Sequence, residues 1–155
     1  MEALTLLLGR IKRLNVSDLF KQVIAEDKTL QAQIIDWNIE QLYEKGKDSK
    51  GQSLGEYSAI TINFYKPLAA SEGRDGRTDH ITLKDTGAFY RSFRILIPSS
   101  GDFIEIEADP IKDGGVNLFE AYGIDILGLD ESNMDNLADE IRDRLAELII
   151  ERIAA

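Results

Sequence analysis

The run Gly51-Gln52-Ser53-Leu54-Gly55 has the G-x-S-x-G spacing of a nucleophile elbow, with Asp79 and His80 downstream as triad partners. That chemistry needs a buried strand before the serine and a helix after it, so that Oγ stands exposed above a parallel sheet. Here a helical pattern and a polar turn precede Ser53, and no parallel sheet is foreshadowed. The overlapping run from Gly46 to Ser53 keeps the glycine spacing of a P-loop but has Gln52 where the phosphate-neutralising lysine belongs. Asp102, Glu105 and Glu107 have the composition of an acid–base pair or a Ca2+ site. Glu105 and Glu107, however, fall on the strand face opposite Ile104 and Ile106, the solvent side, where nothing raises a carboxyl pKa. Asp125, Asp130 and Glu131 lack the ligand pattern and glycine of an EF-hand. Phe89, Tyr90 and Phe93, beside Arg91 and Arg94, could stack single-stranded nucleic acid. At a helix-to-strand junction, aromatics so spaced read as core.

Composition narrows the chemistry further. The chain has no cysteine and one histidine, His80, which removes thiol nucleophiles, disulfides and any site needing two imidazoles. His80 lies in a polar loop and is expected to be solvated. Of the 155 residues, 28 are acidic and 18 basic, a net charge of −10. From Ile95 onward there are 15 acidic residues and 4 basic ones, whereas residues 44–94 hold 7 and 9. The acidic C-terminal third opposes a broad nucleic-acid footprint, since phosphate binding is driven by Lys and Arg. The plain reading of this charge is a solvated surface; the sharper one is that acidic and mildly basic faces of neighbouring copies meet. No apolar run reaches the ~18 residues of a membrane span, and Met1 to Arg13 lack a signal-peptide pattern, so a cytosolic protein with no membrane contact is expected.

These residues need elements to hold them. Leu4, Leu7, Leu8 and Ile11 predict a helix over 2–13, and Ser17 reads as the N-cap of a second carrying Leu19, Phe20, Val23 and Ile24. From about Asp27 to Lys45, Ala32, Ile35, Ile39 and Leu42 mark a core-facing helix, widened by Ile34 and Trp37 and stopped by Gly46. Residues 45–55 read as an exposed connection, and 57–66 fits a strand and a helix equally. Residues 69–80 have no apolar side chain larger than Ala and are expected to be a mobile loop. Asp85 or Thr86 caps a short aromatic helix. Phe93 to Ala108 alternates around Ser99-Ser100-Gly101-Asp102 as a β-hairpin. Asp113-Gly114-Gly115 makes another turn, and Leu118 to Tyr122 a helical turn ended by Gly123. Ser132 with Asp135 suggests a capping box before a long amphipathic helix marked by Met134, Ala138, Ile141, Leu145 and Leu148, with Leu137, Ile149 and Ile153 beside them. The sum is a single α+β domain over 1–155, mostly helical, with a small antiparallel sheet and a long C-terminal helix.

In order, these pieces resemble the virion-morphogenesis or tail-completion proteins of tailed bacteriophages, the group that includes the Mu-like example. The resemblance runs over about residues 30–150. It is carried by Gly55, Tyr57, Thr61 and Lys66 after Gly51 and Leu54, and by Leu83, Thr86, Gly87, Phe89 and Ser92 ahead of the hairpin. Gly123 and then Leu127-Gly128-Leu129-Asp130-Glu131 before the terminal helix complete it. Asp125 departs from the pattern, because the family commonly has a basic residue there. The resemblance implies a non-enzymatic structural or assembly protein of the head–tail junction or tail terminus, present in the virion and, during assembly, in the host cytoplasm. It also implies a homo-oligomeric ring in the virion that can be a monomer in isolation, other virion proteins of the neck, connector or tail tube as partners, and no cofactor. Subunit contacts are then expected near Tyr57 to His80 and Asp85 to Arg94. The competing expectation is a small cytosolic interaction module acting through its C-terminal amphipathic helix. No catalytic, cofactor or metal residue is assigned.

Overall fold

The computed structural model describes residues 2–112 and 114–155 and is an α+β fold dominated by helices. Three helices, α1 (Glu2–Lys12), α2 (Val16–Glu26) and α3 (Lys28–Tyr43), open the chain. The second is capped by Asn15, whose side chain accepts from the Asp18 amide, rather than by Ser17. Asp27 both ends α2 and caps α3 through the Leu30 amide. The last helix, α7 (Glu131–Ala154), starts from Asp130, whose carboxylate accepts from the Asn133 amide; this cap takes the place of the expected Ser132–Asp135 box.

Helices α2 and α3 run along α7. Leu19, Val23, Ile24, Leu30 and Ile34 meet Leu137, Ile141 and Leu148 in one apolar cluster. The buried face of α7 lies slightly off the expected stripe, and Met134 is exposed. On α3 the shift matters more. Its fully buried positions include Asn38 and Gln41, while Ile35 and Ile39 are only partly covered. A second cluster gathers Leu42, Leu83, Phe89, Tyr90, Phe93, Leu118 and Ile126 on the other side of α3. The aromatics beside Arg91 are therefore core, with Phe89 and Phe93 edge-to-face at 4.9 Å.

Residues 57–66, open to either reading in the sequence, turn out helical from Ala59 onward. The helix occupies 59–71 and includes a π-helical turn, Thr61–Tyr65, in which the Lys66 amide donates to the Thr61 carbonyl. It continues as α4 (Lys66–Ser71), so the first residues of the expected loop 69–80 belong to a helix. Short helices α5 (Ala88–Arg91) and α6 (Leu118–Tyr122) follow; α5 begins at Gly87 with no side-chain cap, although Thr86 Oγ1 accepts from the Ala88 amide. The hairpin pairs β1 (Arg94–Leu96) with β2 (Glu105–Glu107) in the register Ile95↔Ile106. A second, smaller hairpin pairs β3 (Ile111–Lys112) with β4 (Val116–Asn117). Gly114 and Gly115 lie in its turn; Asp113, assigned to the same turn, lies outside the described residues. No helix among the described residues is long and apolar enough to cross a membrane.

Candidate functional site

The residues singled out for chemistry are not brought together. Ser53 is exposed in a turn closed by the Lys47–Ser53 bridge, where its Oγ accepts from the Gly55 amide. That turn is less exposed than expected: Asp48 is buried and accepts from the amides of Lys50 and Gln52. Asp125 pairs with Lys50 at 2.6 Å, and Glu107 pairs with Arg94 at 2.9 Å. His80 is half-buried rather than solvated. Its Nε2 donates to the Tyr43 carbonyl at 2.8 Å, and its Nδ1 lies 3.1 Å from Asp79. The ring also packs on Gly46, where a Cβ would come within 2.5 Å of it and where φ is +61°, so only glycine suits the turn that ends α3.

What the fold does bring together is a buried polar cluster centred on Asp75. Lys66 and Asp75 form an ion pair of 2.7 Å with side chains only 8% and 4% exposed. Lys66 also donates to the Asp75 carbonyl at 3.3 Å and sits 4.4 Å from the centre of the Tyr57 ring. The second carboxylate oxygen, Oδ1, accepts from Tyr43 OH at 3.2 Å and the Arg77 amide at 3.4 Å. Thr82 Oγ1 donates to Asp75 Oδ2 at 2.7 Å, which spends its single hydrogen. Tyr57 OH must then donate to Thr82 Oγ1, at 3.1 Å, while accepting from the Thr82 amide at 3.0 Å. Tyr90 OH donates to the Thr82 carbonyl. Among the described residues no buried side-chain polar atom lacks a partner.

Burial opposes the charge on both members of the pair, but the hydrogen bonds prevail. Those with Asp75 hold the Lys66 pKa above the ordinary lysine value, and those from Lys66 and Thr82 hold Asp75 below the ordinary carboxylate value. Burial, and after it the Asp75 charge, raises the Tyr43 phenol, and burial pushes Tyr90 far up. Lys66 and Asp75 are thus both held in their charged forms, and the pair fastens two stretches of chain together. Around it the loop is held by polar contacts: Arg74 pairs with Glu72 and Asp85, and Arg77 with Glu44 and Asp79. The Arg77 hydrogen bond draws the exposed Asp79 carboxyl down to about 2. A cleft of about 970 Å³ opens beside the cluster, rimmed by Arg74, Lys84, Arg91 and Glu44.

This clamp fastens helix 59–71 to the body, and the outer face of that helix is bare. Ile60, Phe64 and Leu68 follow one another at i, i+4 and i+8, and Tyr65 lies beside them; Phe64 is 70% exposed. Of the signature residues, Tyr57 and Lys66 meet in the clamp, and Leu83 anchors the strand of chain beneath it. Leu83 is buried and adopts φ +54°, a conformation costly for leucine and held here by Thr82 and the surrounding core. Ser92 accepts from the Asp109 amide, tying α5 to the far end of the hairpin. Thr61 is apart from all of these and bonds Ser58. Sequence reasoning did not find Tyr43, Asp75 or Thr82, since an aspartate between glycine and arginine looks like any loop residue. No protein family, no curated protein and no solved structure matches the chain.

Proposed function

We propose that this chain is a non-enzymatic structural or assembly protein of a tailed bacteriophage, acting where head joins tail or at the tail's upper end. The observation that carries the reading is the ordered set of short motifs from Gly51 to Glu131 described above. The site's chemistry agrees with it. Its ion pair, Lys66 with Asp75, is held in its charged form and spent on holding a helix whose apolar face points outward, which is what a surface for another protein requires. A neck or tail is built of rings of identical copies, and head-to-tail contacts close into a ring when their rotation allows. The competing reading, a module docking through its C-terminal helix, draws no support from α7, whose Leu137, Ile141 and Leu148 are already covered by α2 and α3.

Electron microscopy of particles assembled with the gene silenced tests the proposal. Filled heads separate from finished tails, or tails of uncontrolled length, are expected. Normal infectious particles would end it.

A further inference from the structure

Among the described residues, two helices carry unpartnered apolar stripes, and they lie at opposite ends. One is on helix 59–71. The other is on α1, where Leu4, Leu8 and Ile11 form a stripe with Leu7 beside it; Leu4 is 62% exposed. Arg10 places α1 at the C-terminal end of α7 by donating to the carbonyls of Ile153 and Ala154 at 2.8 and 3.2 Å. Helix 59–71 is clamped by Tyr43 and Asp75 next to the end of α3, and α3 in turn meets the N-terminal end of α7, where Asn133 donates to Gln41 at 3.3 Å. The 24 residues of α7 separate these ends by about 36 Å. Neither face can cover the other within one molecule.

The two faces match. The stripe on helix 59–71 runs over nine residues, about 12 Å, and that on α1 over eight, about 10 Å, so each is two helical turns long. The charged residues that flank them are opposite in sign. Helix 59–71 presents no outward charge, because its one cation, Lys66, is spent on Asp75; Glu56, exposed and without an ion pair, stands just before it. Lys12 and Arg13, exposed and without a carboxylate partner among the described residues, stand at the end of the α1 stripe. We infer that helix 59–71 of one copy docks against the leucine face of α1 in a second copy, a helix-on-helix contact with Glu56 near the basic end of α1. Because the faces are different and lie at opposite ends, the contact is head-to-tail, and each copy offers both halves of it. The inference deepens the assembly reading above by naming the partner of its exposed helix.

Sedimentation of the purified full chain tests it. The wild type is expected to rise with concentration above its protomer mass of 17.4 kDa. Phe64→Gln/Leu68→Gln and Leu4→Gln/Leu8→Gln, each altering one face, should each stay at one protomer mass. Mixed in equal amounts they should pair to twice that mass and stop, since only one intact contact remains. Glutamine keeps helix propensity at these exposed positions, unchanged circular dichroism and melting confirm folding, and the single changes Phe64→Gln and Leu8→Gln serve if a double variant fails it. A wild type that stays at one protomer mass at every concentration would overturn the inference. So would folded variants that assemble as the wild type does, or a mixture that does not pair. Normal particles without the gene would end the phage reading and leave a pairing mixture standing, whereas a chain that never associates would end only the contact between copies.

Discussion

Asp75 accepts hydrogen bonds at both carboxylate oxygens from groups on three separate stretches of chain: Lys66 of α4, Tyr43 of α3 and Thr82 beside Leu83. Removing one charge of a buried pair strands the other, so Lys66→Met should lower stability by about 3–5 kcal/mol in denaturant melts. Replacing both, Lys66→Met with Asp75→Leu, should cost less than the two single changes together, since no lone charge remains. The pair also sets a pH signature. Asp75 titrates below its ordinary 3.8 when folded, so its contribution is complete above that value and is lost as pH falls through the lower, folded one. Lys66 titrates above 10.5, so its contribution is complete below that value and is lost as pH rises through the folded one. Asp75→Asn should therefore flatten the fall of stability on the acid side of about pH 4, measured by denaturant melts across that range. None of this was legible in the residues alone, because a lysine and an aspartate nine positions apart in a polar stretch look solvated until the fold closes over them.

Between elements, the decisive contacts are made by amides. Asn38 Nδ2 donates to the Ile126 carbonyl and its Oδ1 accepts from the Gly128 amide, while Gln41 bonds the Gly128 carbonyl and the Asp130 amide. Two side chains of α3 thus stand in for the backbone partners that the turn before α7 lacks, and Gly128, at φ +117°, shapes that turn against Ser49. Asn38→Leu leaves two buried backbone groups unpaired and should cost about 1–3 kcal/mol for each. Faster hydrogen exchange at the Gly128 amide would locate the loss. Hydrophobic periodicity found α3 and nearly its ends but rotated its face, because it scores Asn38 and Gln41 as solvent-facing and has no way to register a polar side chain bonded to buried backbone. It read the larger hairpin for the opposite reason: Ile95, Ile104 and Ile106 alternate cleanly, whereas the two-residue strands β3 and β4 are too short to show a period.

On the scale of the whole molecule, α7 is the wall against which α2 and α3 are built. A chain ended after Leu129 would bare Leu19, Val23, Ile24, Leu30 and Ile34 together, and no cooperative thermal transition or near-ultraviolet dichroism is expected from it. A folded fragment would show that α7 is an accessory. The fold class was legible because long amphipathic helices announce themselves, and so was the division into a helical body and a hairpin. The site was legible only at its rim, in Tyr57 and Lys66, since what joins them is Asp75 across a loop closure that no local pattern encodes. The π-helical turn Thr61–Tyr65 carries a consequence of its own. A turn closed from residue i to i+5 holds one residue more than its α-helical neighbours need, as if a single amino acid had been inserted and looped out without disturbing either flank. Deleting the exposed Asn63 should therefore heal the turn to regular helix, leave Lys66 on Asp75, and keep the melting temperature near that of the parent. Few other helical positions in the chain could lose a residue so cheaply, and the outward face would change its contour while its anchorage stayed in register.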